Sequence, residues 1–300
     1  MCASRTLTIK QCLADAQQKL QSPNSESQQD AAKLEAEVLL AFVLEKPRSH
    51  LYTWPEQEIH FKHSERYNRL VKRRFSGEPI AYITGEREFW GLRLKVSPDT
   101  LIPRPETERL VEIALEYIPP QSAFRIADLG TGTGAIALAL ASERPNTLIV
   151  ATDISDAALS VARRNQAEFG LSNVQFFQGN WFEALNRYQD SAKRFDFILS
   201  NPPYVAEQDP HLQQGDLRFE PVQALSSGKN GLQDIKTIIL EATRFLADGA
   251  YLLIEHGYDQ ADDVIDLFDK SGYSDVKCFR DYGERERATI GRWKTLEYSN

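Results

Sequence analysis

Cysteine is scarce in this chain. There are three in 300 residues, Cys2, Cys12 and Cys278, with no CxxC spacing and no even set. That argues against a disulfide framework and a thiolate zinc site, and it predicts a reducing compartment. Long apolar runs are missing as well. No stretch approaches the roughly 18 residues a membrane helix needs, and the first residues lack a basic-then-apolar leader. These absences predict a cytoplasmic protein with no membrane partner. An excess of positive charge is also missing: 35 Lys and Arg against 43 Asp and Glu give a formal net charge of −8. No overall field draws the chain to nucleic acid, and stable nucleic-acid binding is not expected. There is no internal repeat, no GxGxxG turn and no GxxxxGK[ST] phosphate loop. What is present is ordinary for a globular protein, 42% hydrophobic and 26% charged residues. The length suits one large domain and a small one.

The pattern of elements divides the chain. Residues 1–75 carry helical periodicity. Leu7, Ile9, Cys12 and Leu13 form a first stripe, and Leu34, Val38, Leu39, Phe42 and Val43 a second; a third helix spans Ser64 to Phe75. Ser22-Pro23-Asn24-Ser25 breaks the first from the second. No strand alternation interrupts this part, which predicts a small helical bundle. Residues 76–105 read as a hairpin linker, with strands over Ile80–Ile83 and Glu88–Val96 around a Thr84-Gly85-Glu86 turn. Residues 106–300 form the large domain. A helix from about Glu106 to Tyr117 is followed by strands at 125–129, 147–152, 174–178, 195–199 and 250–255, alternating with helices, and by two closing strands at 276–280 and 288–293. Such alternation predicts an α/β fold, an open and mostly parallel sheet with helices on both faces. The polar segment Asn186–Arg194 reads as a surface loop.

Chemistry gathers at the carboxyl ends of these strands, where open α/β sheets bind ligands. The apolar run Phe195–Ser200 is followed by Asn201-Pro202-Pro203-Tyr204. Neither proline has an N–H to continue a ladder, so the strand stops there. The turn presents a carboxamide, carbonyls without a competing N–H, and an aromatic ring. Such a set can hold a planar –NH2 group: the Asn201 side-chain oxygen and the Pro202 carbonyl each accept one hydrogen, and Tyr204 packs against the plane. Asp128-Leu129-Gly130-Thr131-Gly132-Thr133-Gly134 lies at the first strand-to-helix turn, where glycines let the backbone pass close under a ligand. Asp153 ends the second strand, where a carboxylate can accept both ribose hydroxyls of an adenosine. Helix capping is the other reading of Asp153, although Ser155 is itself a good cap. Asn180-Trp181 follows the third strand and can set a flat ring beside adenine; Trp181 as plain core is the alternative.

Other features carry less. His60-x-x-His63 has ligand spacing but no third ligand nearby in sequence. Arg69, Lys72, Arg73 and Arg74 make either a solvated helix face or a docking patch. Ser226–Gly231 reads as a turn, with a place beside the ligand as the alternative, and Glu255-His256-Gly257, ending a central strand near the site, as core or cap rather than catalytic.

The order of glycine-rich turn, acidic strand end, polar-aromatic strand end and Asn-Pro-Pro-Tyr resembles a class I S-adenosylmethionine-dependent methyltransferase with a Rossmann-like, seven-stranded sheet. The tetrapeptide resembles the branch that methylates exocyclic base amines or the glutamine amide. The helical N-terminal part, the linker, Ile102-Pro103-Arg104-Pro105-Glu106-Thr107-Glu108 and the stretch Asp209–Pro221 together resemble the peptide-chain release factor glutamine N5-methyltransferases, the PrmC/HemK family, strongly over about residues 77–293. The resemblance implies S-adenosyl-L-methionine as cofactor and bacterial class-1 release factors as protein substrates, methylated on the glutamine of Gly-Gly-Gln. It implies that Gly130, Thr131, Gly132, Thr133 and Gly134 line the methionine end of the cofactor. Asp153 would hold the ribose, and Trp181 would flank the adenine. Asn201 would be the catalytic residue at the edge of the cofactor, and Asn201, Pro202, Pro203 and Tyr204 would bind the glutamine amide. Residues 1–75 would help dock the substrate. A ribosomal-protein glutamine methyltransferase, a DNA or RNA amino-methyltransferase and a non-catalytic cofactor-binding scaffold remain as alternatives.

Overall fold

In a computed structural model of the protein, residues 6–21, 26–186, 188 and 194–294 are described. The expected Ser22–Ser25 break lies outside them, as do residues 187 and 189–193 of the expected surface loop. Contacts divide the chain into two compact units, 1–85 and 86–300. The division falls beyond the Ser76–Pro79 punctuation at which the sequence suggests a break.

The first unit holds β1 (Leu7–Thr8), α1 (Ile9–Leu20), α2 (Glu26–Leu44), α3 (Arg48–Thr53), β2 (Glu58–Ile59), α4 (Phe61–Phe75) and α5 (Ile80–Thr84). Thr8 opens α1 with a capping box, its side chain accepting from the Gln11 N–H while the Gln11 side chain accepts from the Thr8 N–H. His60 caps α4, its ring accepting from the Lys62 N–H. Ile9, Cys12, Leu39, Leu40, Val43, Tyr67 and Val71 form the core. Leu34, expected in the buried stripe, is instead exposed.

Three expectations are corrected here. Ile80–Ile83 is helical, not a strand: Ala81, Tyr82 and Ile83 are buried, and α5 packs on α2 and α4. A short apolar run does not distinguish the two, and tertiary packing decides. The paired strands β1 and β2 interrupt what reads as purely helical sequence. The helix α3 was also not apparent from the periodicity.

The second unit begins with the hairpin β3 (Glu86–Phe89) and β4 (Leu92–Lys95), whose turn at Trp90-Gly91, both at positive φ, splits the single strand expected over Glu88–Val96. A 3-10 turn at Pro105–Thr107 leads into α6 (Glu108–Tyr117). Then follow β5 (Arg125–Leu129), α7 (Ala135–Glu143), β6 (Leu148–Asp153), α8 (Asp156–Phe169), β7 (Val174–Gln178), α9 (Phe182–Leu185), β8 (Phe195–Ser200), α10 (Gln233–Ala242), β9 (Leu246–Glu255), α11 (Ala261–Lys270), β10 (Ser274–Arg280) and β11 (Glu286–Arg292). The sheet is seven-stranded, ordered β10-β11-β9-β8-β5-β6-β7. β7, β6, β5, β8 and β9 run parallel, and β11 and β10 close it antiparallel.

Period-two alternation builds both faces of this sheet. Ile126, Phe197, Leu199 and Leu253 meet α6 and α7 on one side, whereas Ala127, Leu129, Ile198, Leu252 and Ile254 meet α10 and α11 on the other. Residues 135–141 of α7 are all apolar and buried, so this stretch carries no amphipathic period. Register then fixes the site. Leu129 pairs with Thr152 and with Ser200, and Ser200 pairs with Ile254. The residues that follow, Gly130, Asp153, Asn201 and Glu255, therefore emerge along one edge of the sheet.

Candidate functional site

A cavity of about 440 Å³ opens at that edge. Gly130, Gly132, Asp153, Trp181, Asn201 and Pro203 all line it, drawn from four successive strand ends. The size falls in the range of small-molecule sites.

Asp153 sits at its base. Its Oδ2 accepts the Gly132 N–H at 2.9 Å and its Oδ1 the Ser155 N–H at 2.9 Å. Burial pushes this carboxyl above the ordinary carboxylate range, against the pull of those N–H groups. The helix cap of α8 is Ser155, whose hydroxyl accepts from the Ala158 N–H. The capping reading of Asp153 therefore falls, and its second lone pairs remain for a ligand.

Trp181 forms one wall. Its indole lies against Gly130, where an added Cβ would stand 3.1 Å from the ring on a backbone at φ +76°, so a side chain there would both crowd the indole and strain the turn. The indole N–H donates to Asp234 Oδ1 at 3.1 Å. Asp234, in the first turn of α10, is held in turn by the Ser227 hydroxyl accepting its N–H. The Ser226–Gly231 turn is thus part of the site's frame, and Ser226 itself lines the cavity.

Among the described residues, Thr131, Thr133 and Gly134 do not line the cavity. Thr131 donates its hydroxyl to Asp128 at 2.6 Å, the Thr133 carbonyl accepts from Asn165, and Gly134 precedes α7 as its cap. They shape the loop from below. Asp128 is fully buried. Its Oδ1 has no hydrogen-bond partner of ordinary geometry, and desolvation, opposed by the Thr131 hydroxyl and the Ala137 N–H, pushes its pKa from 3.8 to about 7.

Asn201 enters the cavity from the opposite side. Its Nδ2 donates to the Thr107 hydroxyl at 3.1 Å, which leaves the amide oxygen for another partner. Pro202 is buried and Pro203 reaches the cavity, but Tyr204 turns away. Its hydroxyl donates to Glu255 at 3.3 Å, and its ring borders a second cavity of about 560 Å³ shared with Arg104, Glu106, Glu255 and Arg287. Tyr204 is held by its backbone as well: its carbonyl accepts from Gln260 Nε2 at 3.0 Å. Glu220, buried on the far side of Ile102–Arg104, accepts the Ile102 N–H at 3.0 Å and pairs with Arg104. That contact holds the Asp209–Pro221 stretch against the Ile102–Glu108 stretch.

Sequence reasoning did not find Thr107, Asp234 or Glu220 as parts of this frame, and it left Glu255 as core or cap. One signal was available for Glu255, an ionisable residue closing the otherwise apolar run Leu252–Ile254. Among the described residues no His, Cys, Asp and Glu cluster could hold a metal.

A glycine turn, an acidic strand end and the Asn-Pro-Pro-Tyr turn around one cavity, at the carboxyl edge of this sheet, are the arrangement of a methyltransferase of the open α/β type. A methyltransferase domain family matches residues 120–280, and a PrmC N-terminal domain family matches residues 11–85. In fold the chain is similar to a methyltransferase from Pyrococcus furiosus, with TM-score 0.52 and 20% identity over 76% of this chain and 99% of that one. It is 48% identical over 290 residues to the release factor glutamine methyltransferase of Vibrio cholerae, covering 97% of this chain and 98% of that protein. It is also 48% identical over 264 residues to that of Escherichia coli, covering 88% and 93%. The chain belongs to the release factor glutamine methyltransferase family.

Proposed function

We propose that this protein transfers a methyl group from S-adenosyl-L-methionine to the side-chain amide nitrogen of the glutamine in the Gly-Gly-Gln motif of class-1 peptide-chain release factors. The observation that carries the reading is one cavity bounded by Asp153 and Trp181 on one side and by Asn201 and Pro203 on the other. A donor and an amide acceptor can meet there.

The residues present fit the cofactor. Asp153 keeps lone pairs for two ribose hydroxyls, Trp181 offers a flat wall for adenine, and the left-handed turn at Gly130 and Gly132 leaves room for the methionine end. When bound, S-adenosylmethionine supplies an electrophilic methyl on a sulfonium centre.

The amide nitrogen is a poor nucleophile because its lone pair is delocalised into the carbonyl. Asn201 Oδ1 and the Pro202 carbonyl accept its two N–H bonds, which aims the nitrogen at the methyl and favours the positive charge growing on it. Positioning for in-line attack supplies most of the rest. The proton on the product nitrogen is acidic and leaves to water, so the turn needs no general base, and the tetrapeptide contains none. Residues 1–75 serve to dock the release factor. A translation substrate implies work in the cytoplasm, consistent with no described helix being long and apolar enough to cross a membrane. The acidic net charge gives no support to a nucleic-acid substrate.

Mass spectrometry of a purified bacterial release factor, after incubation with this protein and S-adenosylmethionine, tests the reading. One added methyl on the Gly-Gly-Gln glutamine, absent with Asn201→Ala, is the expected result. No gain of mass would overturn the substrate; equal gain with the variant would overturn the amide clamp.

A further inference from the structure

The Asn201 carboxamide can do its work only one way round. Its oxygen must face the substrate N–H groups; with its NH2 there instead, donors would face donors. Nothing in the tetrapeptide sets that choice, but a chain of groups behind it does. Asn201 Nδ2 donates to Thr107 Oγ1 at 3.1 Å. Thr107, 4% exposed in the Pro105–Thr107 turn, lies beside the carboxylate of Glu255 and favours its charged form. Glu255 closes β9 and is 1% exposed. Its Oε1 accepts the Tyr204 hydroxyl at 3.3 Å, while its Oε2 is buried with no hydrogen-bond partner of ordinary geometry. Since Thr107 Oγ1 accepts from Asn201, its own proton is free to point at this carboxylate.

We infer that Thr107 and Glu255 are positioning residues which, through this relay, lock the Asn201 carboxamide with its oxygen toward the substrate amide. The inference rests on the amide-clamp reading proposed above. An ionised carboxylate can only accept, so Thr107 must donate to it. The lone pairs of Thr107 then face Asn201, which has to answer with Nδ2, and Oδ1 is left facing the cavity. If Glu255 carries a proton, the constraint is lost. Thr107 is then free to donate to Asn201 Oδ1, and the amide turns its NH2 toward the substrate. Glu255 also holds the Tyr204 hydroxyl, so one carboxylate ties down both ends of Asn201–Tyr204.

Burial raises the Glu255 pKa from 4.5 to about 7, so the switch falls in a measurable range. Several charged groups face it. Arg287, itself paired with Asp281, favours the ionised form, and Glu106 opposes it. Arg104, His211 and Asp216 line the same second cavity.

Steady-state methylation of a purified class-1 release factor by wild type, Thr107→Val, Thr107→Ser, Glu255→Gln and Asn201→Ala tests this, with S-adenosylmethionine affinity read by calorimetry. Thr107→Val is expected to lose at least about tenfold in kcat with cofactor affinity unchanged, and Thr107→Ser to recover to within about threefold of wild type. Wild-type kcat should fall by about tenfold per pH unit below the Glu255 pKa, and Glu255→Gln should flatten that acid limb. Wild-type kcat in Thr107→Val, or an acid limb retained in Glu255→Gln, overturns the inference. Should Glu255→Gln fail to fold, the Val and Ser pair at Thr107 decides alone. Asn201→Ala separates the two readings. If it is inactive while Thr107→Val is fully active, only the relay is wrong; if it is fully active, the clamp itself is wrong.

Discussion

Glu220 and Arg104 stand 116 residues apart in sequence and are joined in a partly buried ion pair, the Glu220 side chain being fully enclosed. Glu220 also accepts the Ile102 N–H. Burial pushes its carboxyl above the ordinary range, against the pull of Arg104 and that N–H. The pair binds the segment carrying Pro221, Gln223 and Ala224 to the one carrying Thr100 and Leu101, all of which line the cavity. Glu220→Ala leaves an unpaired guanidinium and an unmet N–H. The expected loss is about 3 kcal/mol by urea titration, at the lower end for a broken buried pair because Arg104 is 30% exposed and keeps part of its hydration. Glu220→Gln keeps an acceptor for Ile102 and should lose less. A loss below about 1 kcal/mol for the alanine variant would mean the pair does not hold these two segments together.

The split between what the sequence discloses and what it hides follows sequence distance. Strand alternation along 125–255 is local, so the sheet and its helices are legible. Gly130, Asp153 and Asn201 are legible because each sits at the end of its own strand and needs no partner to be recognised. The relay Asn201–Thr107 spans 94 residues, Tyr204–Glu255 spans 51 and Trp181–Asp234 spans 53. Those partners are set by strand order, which periodicity does not give. Residues Ile80–Ile83 fail for a different reason: four apolar residues fit a buried strand or a buried helix equally, and contact with α2 and α4 settles it.

Gly130 and Gly132 both adopt positive φ, +76° and +56°. Alanine at either meets the same left-handed backbone penalty, about 1–2 kcal/mol. Only at Gly130 does the new methyl meet the Trp181 indole, at 3.1 Å; at Gly132 nothing lies within 4 Å. Gly130→Ala should therefore be less stable than Gly132→Ala by about a further 1 kcal/mol in thermal or urea unfolding, with altered tryptophan fluorescence. Equal losses would place the indole away from the loop.

Asp153 has two separable duties, bracing the Gly132 and Ser155 N–H groups and accepting from a ribose. Asp153→Asn keeps one oxygen for the brace but loses the charge and one acceptor. Its expected signature is a fall in S-adenosylmethionine affinity of about tenfold or more, because hydrogen bonds to a charged group carry about 1.5–3 kcal/mol, with a smaller loss of stability than Asp153→Ala because one of the two braced N–H groups keeps its acceptor. Asp153→Ala should lose both. Calorimetric affinity within twofold of wild type for Asp153→Asn would leave the carboxylate as a loop brace alone.

Asp128 makes folding pH-dependent, with the opposite sign to an ordinary salt-bridged acid. Its folded-state pKa is about 7 against 3.8 for a free carboxyl, because full burial outweighs the Thr131 hydrogen bond. The folded state therefore holds the proton more tightly than the unfolded chain does. The stability this contributes is fully present below the unfolded pKa of 3.8 and is lost as pH rises through about 7. Glu255, raised to about 7 by the same cause, adds a contribution of the same sign. Asp128→Asn has no proton to lose, and its Thr131-facing oxygen still accepts. Urea titrations across this range should find wild-type stability falling with pH more steeply than that of Asp128→Asn, so that the two curves converge or cross toward the alkaline end. Parallel curves would mean that Asp128 stays ionised in the fold. Its carboxylate would then need a cation or donor beyond the Thr131 hydroxyl and the Ala137 N–H to offset the burial of a full charge.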